Sequence, residues 1–251
     1  MREDRSVVAV VLAAGQGTRM KSDLPKVLHA VCGRPMLALV LDAMHDAGVA
    51  DAVVVVGYRA EAVREVFADW VTPLRWVEQP EQKGTGHAVM VTRETLADFD
   101  GEVVVVCGDN PLLSAETVRG AIVRHRVEGV ACTVVTAEVA DPTGYGRVIR
   151  DPGGDVEAIV EQRDASEAQQ RVNEVNSGNY VFDARCLFDA LEKVTPENDQ
   201  HEYYLTDVVA VLRAGGKRVI AHKAGEATEV LGINDREQLA LAERLLLARR
   251  G

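Results

Sequence analysis

The stretch VLAAGQGTRMKSDLPKVL, residues 11–28, concentrates the groups that polyphosphate chemistry needs. An apolar run ends at Gly15 and gives way to a turn of small residues. Two cations follow, Arg19 and Lys26, the second preceded by Pro25. A buried strand that ends in such a turn exposes several backbone N–H groups at its carboxyl end. Those donors, here from Leu12, Ala13, Ala14 and Gly15, together with two cations suit a nucleoside triphosphate whose charge must be held and redistributed. The spacing is neither that of a Walker loop nor that of the dinucleotide fingerprint, where Met20 stands in place of the third glycine. Met20 therefore also disfavours an NAD-dependent oxidoreductase.

Three further groups of residues could share that chemistry. Asp109 follows a valine-rich run in CGDNPLL, where a carboxylate at a strand end could ligate Mg²⁺ or cap the next turn. Asn234 in GINDR could supply a second, neutral oxygen to the metal or serve as the N-cap of the last helix. Gln79 and Gln82 precede Gly84, Thr85, Gly86 and His87. Glutamine amides can read a pyrimidine edge, and glycines let backbone lie against a flat ring. Thr85 could equally be a helix cap, and His87 reads as a packed helix residue rather than a catalytic base. Further on, Gly146, Glu161 and Asn176 combine exposed backbone, a carboxylate and an amide, which suits sugar hydroxyl and amide groups, although each also fits turn chemistry. The string EYYLTD, beginning at Glu202, reads as a helix start that packs this region or borders a sugar site.

Composition bounds the setting. The chain has 251 residues, 47% hydrophobic and 27% charged, enough for one large domain with a real core. A net charge of −11 argues against nucleic acid or an anionic membrane as partner, while a locally positive pocket remains compatible with a nucleotide. Four widely separated cysteines, with no CxxC pair, read as reduced thiols. The acidic start MREDRS is no leader peptide, and no apolar stretch approaches a membrane span, so the cytoplasm is the expected location.

The elements that must position these residues alternate. Strands are expected at 7–14, 51–58, 74–79, 102–109 and 131–139, with helices at 36–48, 60–70, 84–96 and 114–126 between them. Apolar strands separated by helices imply an α/β, Rossmann-like fold with a mostly parallel central sheet and flanking helices. Ligands in such sheets sit beyond the carboxyl ends of the strands, so Gly15–Arg19, Gln79–Gly86 and Gly108–Asp109 should converge. After residue 140 shorter, more polar strands suggest a smaller β-rich lobe over the sheet. Helices at 183–194 and 202–216, a strand at 217–224 and a closing helix at 234–250 complete the chain. The expected organisation is a single domain: a nucleotide-binding part over 1–139, a β-rich lobe and helices over 140–233, and the last helix over 234–251.

The string LAAGQGTRMKSDLPK resembles the signature of the sugar-phosphate nucleotidyltransferases. GTGHA, GDNPLL, DPTGYGR, IVEQRDA, EVNSGNY, EYYLTDVV and GINDREQL follow in register. Together they resemble the N-terminal uridylyltransferase domain of the bifunctional N-acetylglucosamine-1-phosphate uridylyltransferases. The resemblance implies that Arg19 and Lys26 act on the triphosphate, that the Ala13–Gly15 backbone, Gln79 and Gly84 contact uracil and ribose, and that Asp109 and Asn234 ligate Mg²⁺. It also implies that Thr85, Gly146, Glu161 and Asn176 contact N-acetylglucosamine 1-phosphate, which would attack UTP to give UDP-N-acetylglucosamine and pyrophosphate. Cys107, Asn110 and Lys83 depart from the pattern near the sugar and uracil sites. The left-handed β-helix acetyltransferase domain of that family, and the trimer it builds, lie outside the expected fold; self-association of this domain is compatible with the sequence. The rival readings are a paralogue using another sugar or cyclitol phosphate or another triphosphate, and a catalytically idle nucleotide sensor.

Overall fold

The structure is a computed structural model that describes residues 5–250. Most of the acidic start read above as no leader, residues 1–4, lies outside the described residues. In chain order, β1 (Val7–Ala13) leads through two single-turn 3₁₀ helices, Thr18–Met20 and Lys26–Leu28, to a small hairpin of β2 (Ala30–Val31) and β3 (Arg34–Pro35). Then come α1 (Met36–Asp46), β4 (Asp51–Val56), α2 (Ala60–Val66), β5 (Leu74–Glu78), α3 (Thr85–Met90), β6 (Glu102–Cys107), α4 (Ala115–Glu128) and β7 (Cys132–Glu138). The second half contains β8 (Arg147–Arg150), β9 (Val156–Val160), α5 (Glu167–Gln170), β10 (Glu174–Asp183), α6 (Ala184–Leu191), α7 (Asp207–Ala214), β11 (Val219–Lys223) and α8 (Arg236–Arg250).

The main sheet runs β11-β7-β10-β6-β1-β4-β5. β1, β4, β5 and β6 are parallel neighbours, as are β7 and β11, whereas β10 runs antiparallel between β6 and β7. The valine-rich strands explain this arrangement. Along β1, Ala9, Val11 and Ala13 join the core under α1, α2 and α4, while Val8 and Val10 join the core under α3, α6 and α7. The same alternation recurs in β4 and β6. A strand that is apolar on both faces must be covered on both, which a parallel sheet with crossover helices provides. A smaller core seats α8 against Met36, Leu39 and Leu112.

Two expectations are corrected. The region after residue 140 does not stay apart from the sheet: β10 enters its centre and β11 forms its edge, and the β8–β9 hairpin touches the main sheet through a single pairing, Arg147 with Val175. Periodicity alone cannot say which strand a β-branched run will pair with. The helix expected from 202 begins only at Asp207, because the backbone before it is bonded elsewhere. Tyr203 N–H donates to Lys83 O (2.8 Å), Tyr203 O accepts from Gly86 N–H (2.7 Å), and Leu205 N–H donates to the Thr85 hydroxyl (3.1 Å). α4 opens on Ser114, whose hydroxyl accepts from Thr117 N–H.

β10 also carries a bulge that faces the carboxyl edge. Its register against β7 shifts between Asn176 and Tyr180. Asn176 Nδ2 donates to the Tyr180 hydroxyl (2.6 Å), Asn176 Oδ1 accepts from Gly178 N–H (3.1 Å), and the Ser177 hydroxyl donates to Val135 O (2.7 Å). Tyr180 is 1% exposed, so its oxygen is the local partner of that amide. Tyr180→Phe leaves the Asn176 Nδ2 donor short of an acceptor. Thermal unfolding should show a loss of ~1–2 kcal/mol, a fall of roughly 2–8 °C in Tm.

Candidate functional site

Four strand ends meet at one edge of the sheet. Gly108 N–H donates to Leu12 O (2.9 Å), Tyr58 N–H to Ala14 O (3.3 Å) and Gln79 N–H to Val56 O (2.8 Å), so the exits of β6, β1, β4 and β5 lie side by side. Between them opens a cavity of about 250 Å³. Its walls bring together Leu12, Ala14, Gly15, Lys26, Gln79, Gln82, Gly84, Thr85 and Asp109, residues singled out from three separate stretches of the sequence.

Lys26 is the centre of this arrangement. Its ammonium donates to Asp109 Oδ2 and, at 2.7 Å, to Asn234 Oδ1. The side chains of Lys26 and Asp109 are 12% and 22% exposed, so the pair is sheltered from the screening that weakens surface ion pairs. Asn234 is held for this contact. Its own N–H donates to Gln238 Oε1 (2.7 Å), and the preceding Ile233 N–H donates to Asp109 O (2.9 Å). The last helix is capped instead by Asp235, whose Oδ1 accepts from Gln238 N–H (2.8 Å), so Asn234 is not the N-cap.

The loop that delivers Lys26 depends on Gly17, which has φ +68°; a Cβ there would lie 2.7 Å from Lys26 Cβ. Arg19 sits on the exposed turn that follows, outside the cavity wall. Arg236 of α8 braces that turn through Met20 O (3.2 Å) and Lys21 O (3.4 Å). The main-chain path around the two cations is thereby tied at both ends of the sequence.

The opposite wall is built on Gln79 and Gly84. Gln79 is 4% exposed, and its Nε2 lies 3.1 Å from Gly84 O and 3.0 Å from His87 Nδ1. Gly84 O can only accept, so the amide nitrogen must be the atom beside it. Both amide hydrogens are then engaged, which leaves Oε1 as the end available to a ligand. Gln82 Nε2 donates to Ala14 O (2.7 Å) and tethers the loop to β1. Gly84 has φ +102°, and a Cβ there would meet Tyr203 O at 2.6 Å. Thr85 is not a helix cap: its hydroxyl accepts from Leu205 N–H, and Gly84 precedes the helix without a side-chain cap. Lys83 lies outside the wall in an exposed pair with Glu81 (2.5 Å).

Gly146, Glu161 and Asn176 do not line this cavity; they form a neighbouring group joined to it by the strap 202–206. Thr206, next to the Leu205 held by Thr85, donates its hydroxyl to Glu161 Oε1 (3.3 Å). A Cβ on Gly146 would come within 3.4 Å of Glu161 Oε1, and Gly146 O accepts from Asn176 N–H (2.9 Å). Burial raises the Glu161 carboxyl above its usual range, against the Thr206 hydrogen bond that lowers it. Both ends of the Asn176 amide are engaged within β10, so this residue shapes the bulge.

The sequence reading passed over Val27 and Ala88 as wall residues, placed Glu202 only in a helix start that packs the lobe or borders a sugar site, and named Cys107 only as a departure. Cys107 ends β6 and joins the two groups. Its N–H donates to Asn179 Oδ1 (3.1 Å) and its Sγ lies 3.6 Å from Gly178 O. Burial, reinforced by Asp109, pushes its thiol up to about 12, so it is no nucleophile. Its place directly before Gly108-Asp109 was a usable signal. Glu202 was legible only as part of a helix start, because backbone bonds of the strap bring it to the cavity. All four cysteines are free thiols.

The site can hold a hard cation. Asp109 and Asn234 already direct two oxygens at one positive group, the Lys26 ammonium, and Mg²⁺ characteristically takes one or two protein oxygens and completes its shell with phosphates and water. Among the described residues no set of three or more His, Cys, Asp or Glu side chains is placed to hold a metal. Nor is any described helix long and apolar enough to cross a membrane.

Comparison with known proteins agrees with this geometry. The chain matches the family described as Nucleotidyl transferase over residues 8–227. It is 51% identical over 238 residues to the bifunctional protein GlmU of Heliobacterium modesticaldum, covering 95% of this chain and 51% of that one. To the bifunctional protein GlmU of Streptomyces avermitilis it is 52% identical over 244 residues, covering 96% and 51%. The chain thus spans about half the length of the curated relatives it matches. A crystal structure of UDP-glucose pyrophosphorylase complexed with UDP-glucose superposes with a TM-score of 0.81 at 18% identity, covering 97% of this chain and 99% of that one, a likeness of fold. With its parallel strands, its sheet-edge cavity and a family match over most of its length, the chain belongs to the nucleotidyl transferase family.

Proposed function

We propose that this chain is a sugar-1-phosphate uridylyltransferase that joins N-acetylglucosamine 1-phosphate and UTP into UDP-N-acetylglucosamine and pyrophosphate. The observation that carries the reading is the Lys26 ammonium held between Asp109 and Asn234 at one end of a cavity whose other wall is the Gln79–Gly84 turn. The motifs shared with uridylyltransferase domains and the likeness to the GlmU proteins support the choice of substrates. The expected setting is the cytoplasm, where both substrates would be dissolved.

The chemistry needs no protein nucleophile. An oxygen of the sugar phosphate, already anionic at neutral pH, forms a bond to the α-phosphorus of UTP as the bond from that phosphorus to the bridging oxygen breaks. Pyrophosphate leaves with that electron pair, and no proton has to move. The obstacle is repulsion between two polyanions, which cations and positioning relieve. Lys26 supplies the sheltered positive charge, and Arg19, on the braced turn that follows Gly17, supplies an exposed one. The backbone of Leu12–Gly15 lies along the nucleotide. Gln79 Oε1 accepts from the imide N–H of uracil, and Gly84 lets main chain approach the ring. Thr85, Gly146, Glu161 and the bulge shaped by Asn176 surround the sugar. Asp109 and Asn234 would hold Mg²⁺, which when bound supplies further charge neutralisation on the phosphates.

A coupled assay for pyrophosphate, run with UTP, GTP, CTP or dTTP against a panel of sugar phosphates, tests the assignment. UTP with N-acetylglucosamine 1-phosphate should give the highest kcat/KM; a clear preference for another pair overturns the substrate choice, and no pyrophosphate with any pair overturns the reaction. Lys26→Ala should lower kcat/KM by ~30- to 1000-fold, the ~2–4 kcal/mol typical of a lost charge-stabilising contact. Asp109→Ala should abolish the response of the rate to Mg²⁺. Glu161 makes a separate prediction about stability. Its folded carboxyl is raised, so the fold favours the neutral form, and that stability is lost as pH rises through the raised value. Glu161→Gln, which can still accept from Thr206, should therefore raise Tm at pH 7.5, with the gain shrinking toward pH 4.

A further inference from the structure

We propose that His87 is a positioning residue that decides which end of the Gln79 amide a nucleobase meets, and so sets discrimination between uracil and cytosine; the inference rests on the uridylyltransferase reading above. An amide has two chemically opposite ends, and its rotation by half a turn converts an acceptor into a donor. Gln79 is buried at the wall of the cavity, and two groups hold its nitrogen: Gly84 O at 3.1 Å and His87 Nδ1 at 3.0 Å. The amide nitrogen can only donate, so His87 Nδ1 must be the bare, accepting nitrogen, and the ring proton of the neutral imidazole sits on Nε2. His87 is placed for this one turn into α3, beneath Tyr203, whose ring centroid lies 6.4 Å away. Tyr203 is itself fixed by its main-chain bonds to Lys83 and Gly86.

The consequence is chemical. With the nitrogen turned toward Gly84 and His87, Oε1 faces the ligand as an acceptor. It suits a base with an N–H at the ring position, as in uracil or thymine. Against the unprotonated N3 of cytosine it sets two acceptors face to face, and an unpaired buried polar group is what gives a site its discrimination. Gly84 O alone restrains one amide hydrogen; His87 takes the other. Without that acceptor the amide can present a donor to the cavity. His87 needs no contact with the ligand to have this effect.

The test uses His87→Leu, which removes the acceptor, and His87→Asn, whose Oδ1 stands the same number of bonds from Cα as Nδ1. Binding of UTP and of CTP is measured by calorimetry with Mg²⁺, and turnover of each with N-acetylglucosamine 1-phosphate by pyrophosphate release. His87→Leu should reduce the UTP-to-CTP ratio of affinities and of kcat/KM by ~10-fold, the scale of one misplaced hydrogen bond in a base pocket. KM for the sugar phosphate should stay within about twofold, because its surroundings are untouched. His87→Asn should keep the ratio within about threefold of the unaltered protein. An unchanged ratio in His87→Leu, or an equal loss in both variants, overturns the inference. The expected fall in the binding ratio of His87→Leu, kept in His87→Asn, together with no turnover by the unaltered protein, overturns the proposed reaction and leaves the role of His87 standing.

Discussion

One ammonium group ties together three parts of the chain that are far apart in sequence. Lys26 reaches Asp109, 83 residues on, and Asn234, 208 residues on, and each of the three arrives by a different route. Lys26 comes from the loop after the first strand, Asp109 from the exit of the sixth, and Asn234 from the junction into the last helix. The contact is sheltered, and both oxygens lose much of their hydration to make it. Such an arrangement persists only if the surrounding backbone holds it, since an unpaired sheltered carboxylate is costly. The parallel sheet supplies that backbone by ending four strands along one edge. The bond from Ile233 to Asp109 and the Arg236 contacts to Met20 and Lys21 then fasten the end of the chain to its beginning.

A chain with a net charge of −11 can still carry a sheltered cation at a sheet-edge cavity. The overall charge acts at long range and is screened over about a Debye length. What the cavity presents is local: an ammonium paired with a carboxylate and an amide oxygen, and strand-end backbone. Acidic groups near the second cluster stand in a different environment, where burial holds Glu161 toward its neutral form.

The strap 202–206 couples the two regions. Its main chain bonds to Lys83 and Gly86, its Leu205 N–H to Thr85, and its Thr206 hydroxyl to Glu161. Gly84 and Gly86 are required where it crosses, because side chains there would collide with the Tyr203 carbonyl. The bulge in β10 approaches the same edge from the other side through Cys107 and Asn179. The cavity wall and the group of Gly146, Glu161 and Asn176 are therefore joined through the main chain of the strap and its Thr206 hydroxyl.

Much of this was readable from the residues. The apolar strands, the crossover helices and the convergence of the Gly15, Gln79 and Asp109 loops follow from the period of hydrophobic residues and from the rule that parallel strands end together. Local chemistry also indicated Lys26 and Asp109, which line the cavity, whereas Arg19 stands outside its wall. Three things depended on the tertiary structure. Antiparallel β10 sits at the centre of the sheet because strand pairing is a long-range choice that a β-branched run leaves undetermined. Residues 202–206 stay out of the helix that their pattern favours because distant partners take their backbone donors and acceptors. Asn234 binds Lys26 and leaves the cap to Asp235, since either side chain could cap the helix but only one points back toward the sheet edge. Sequence specifies which groups are present and how each segment prefers to fold. The choice among competing hydrogen-bond partners is settled only when segments far apart in the chain are packed together.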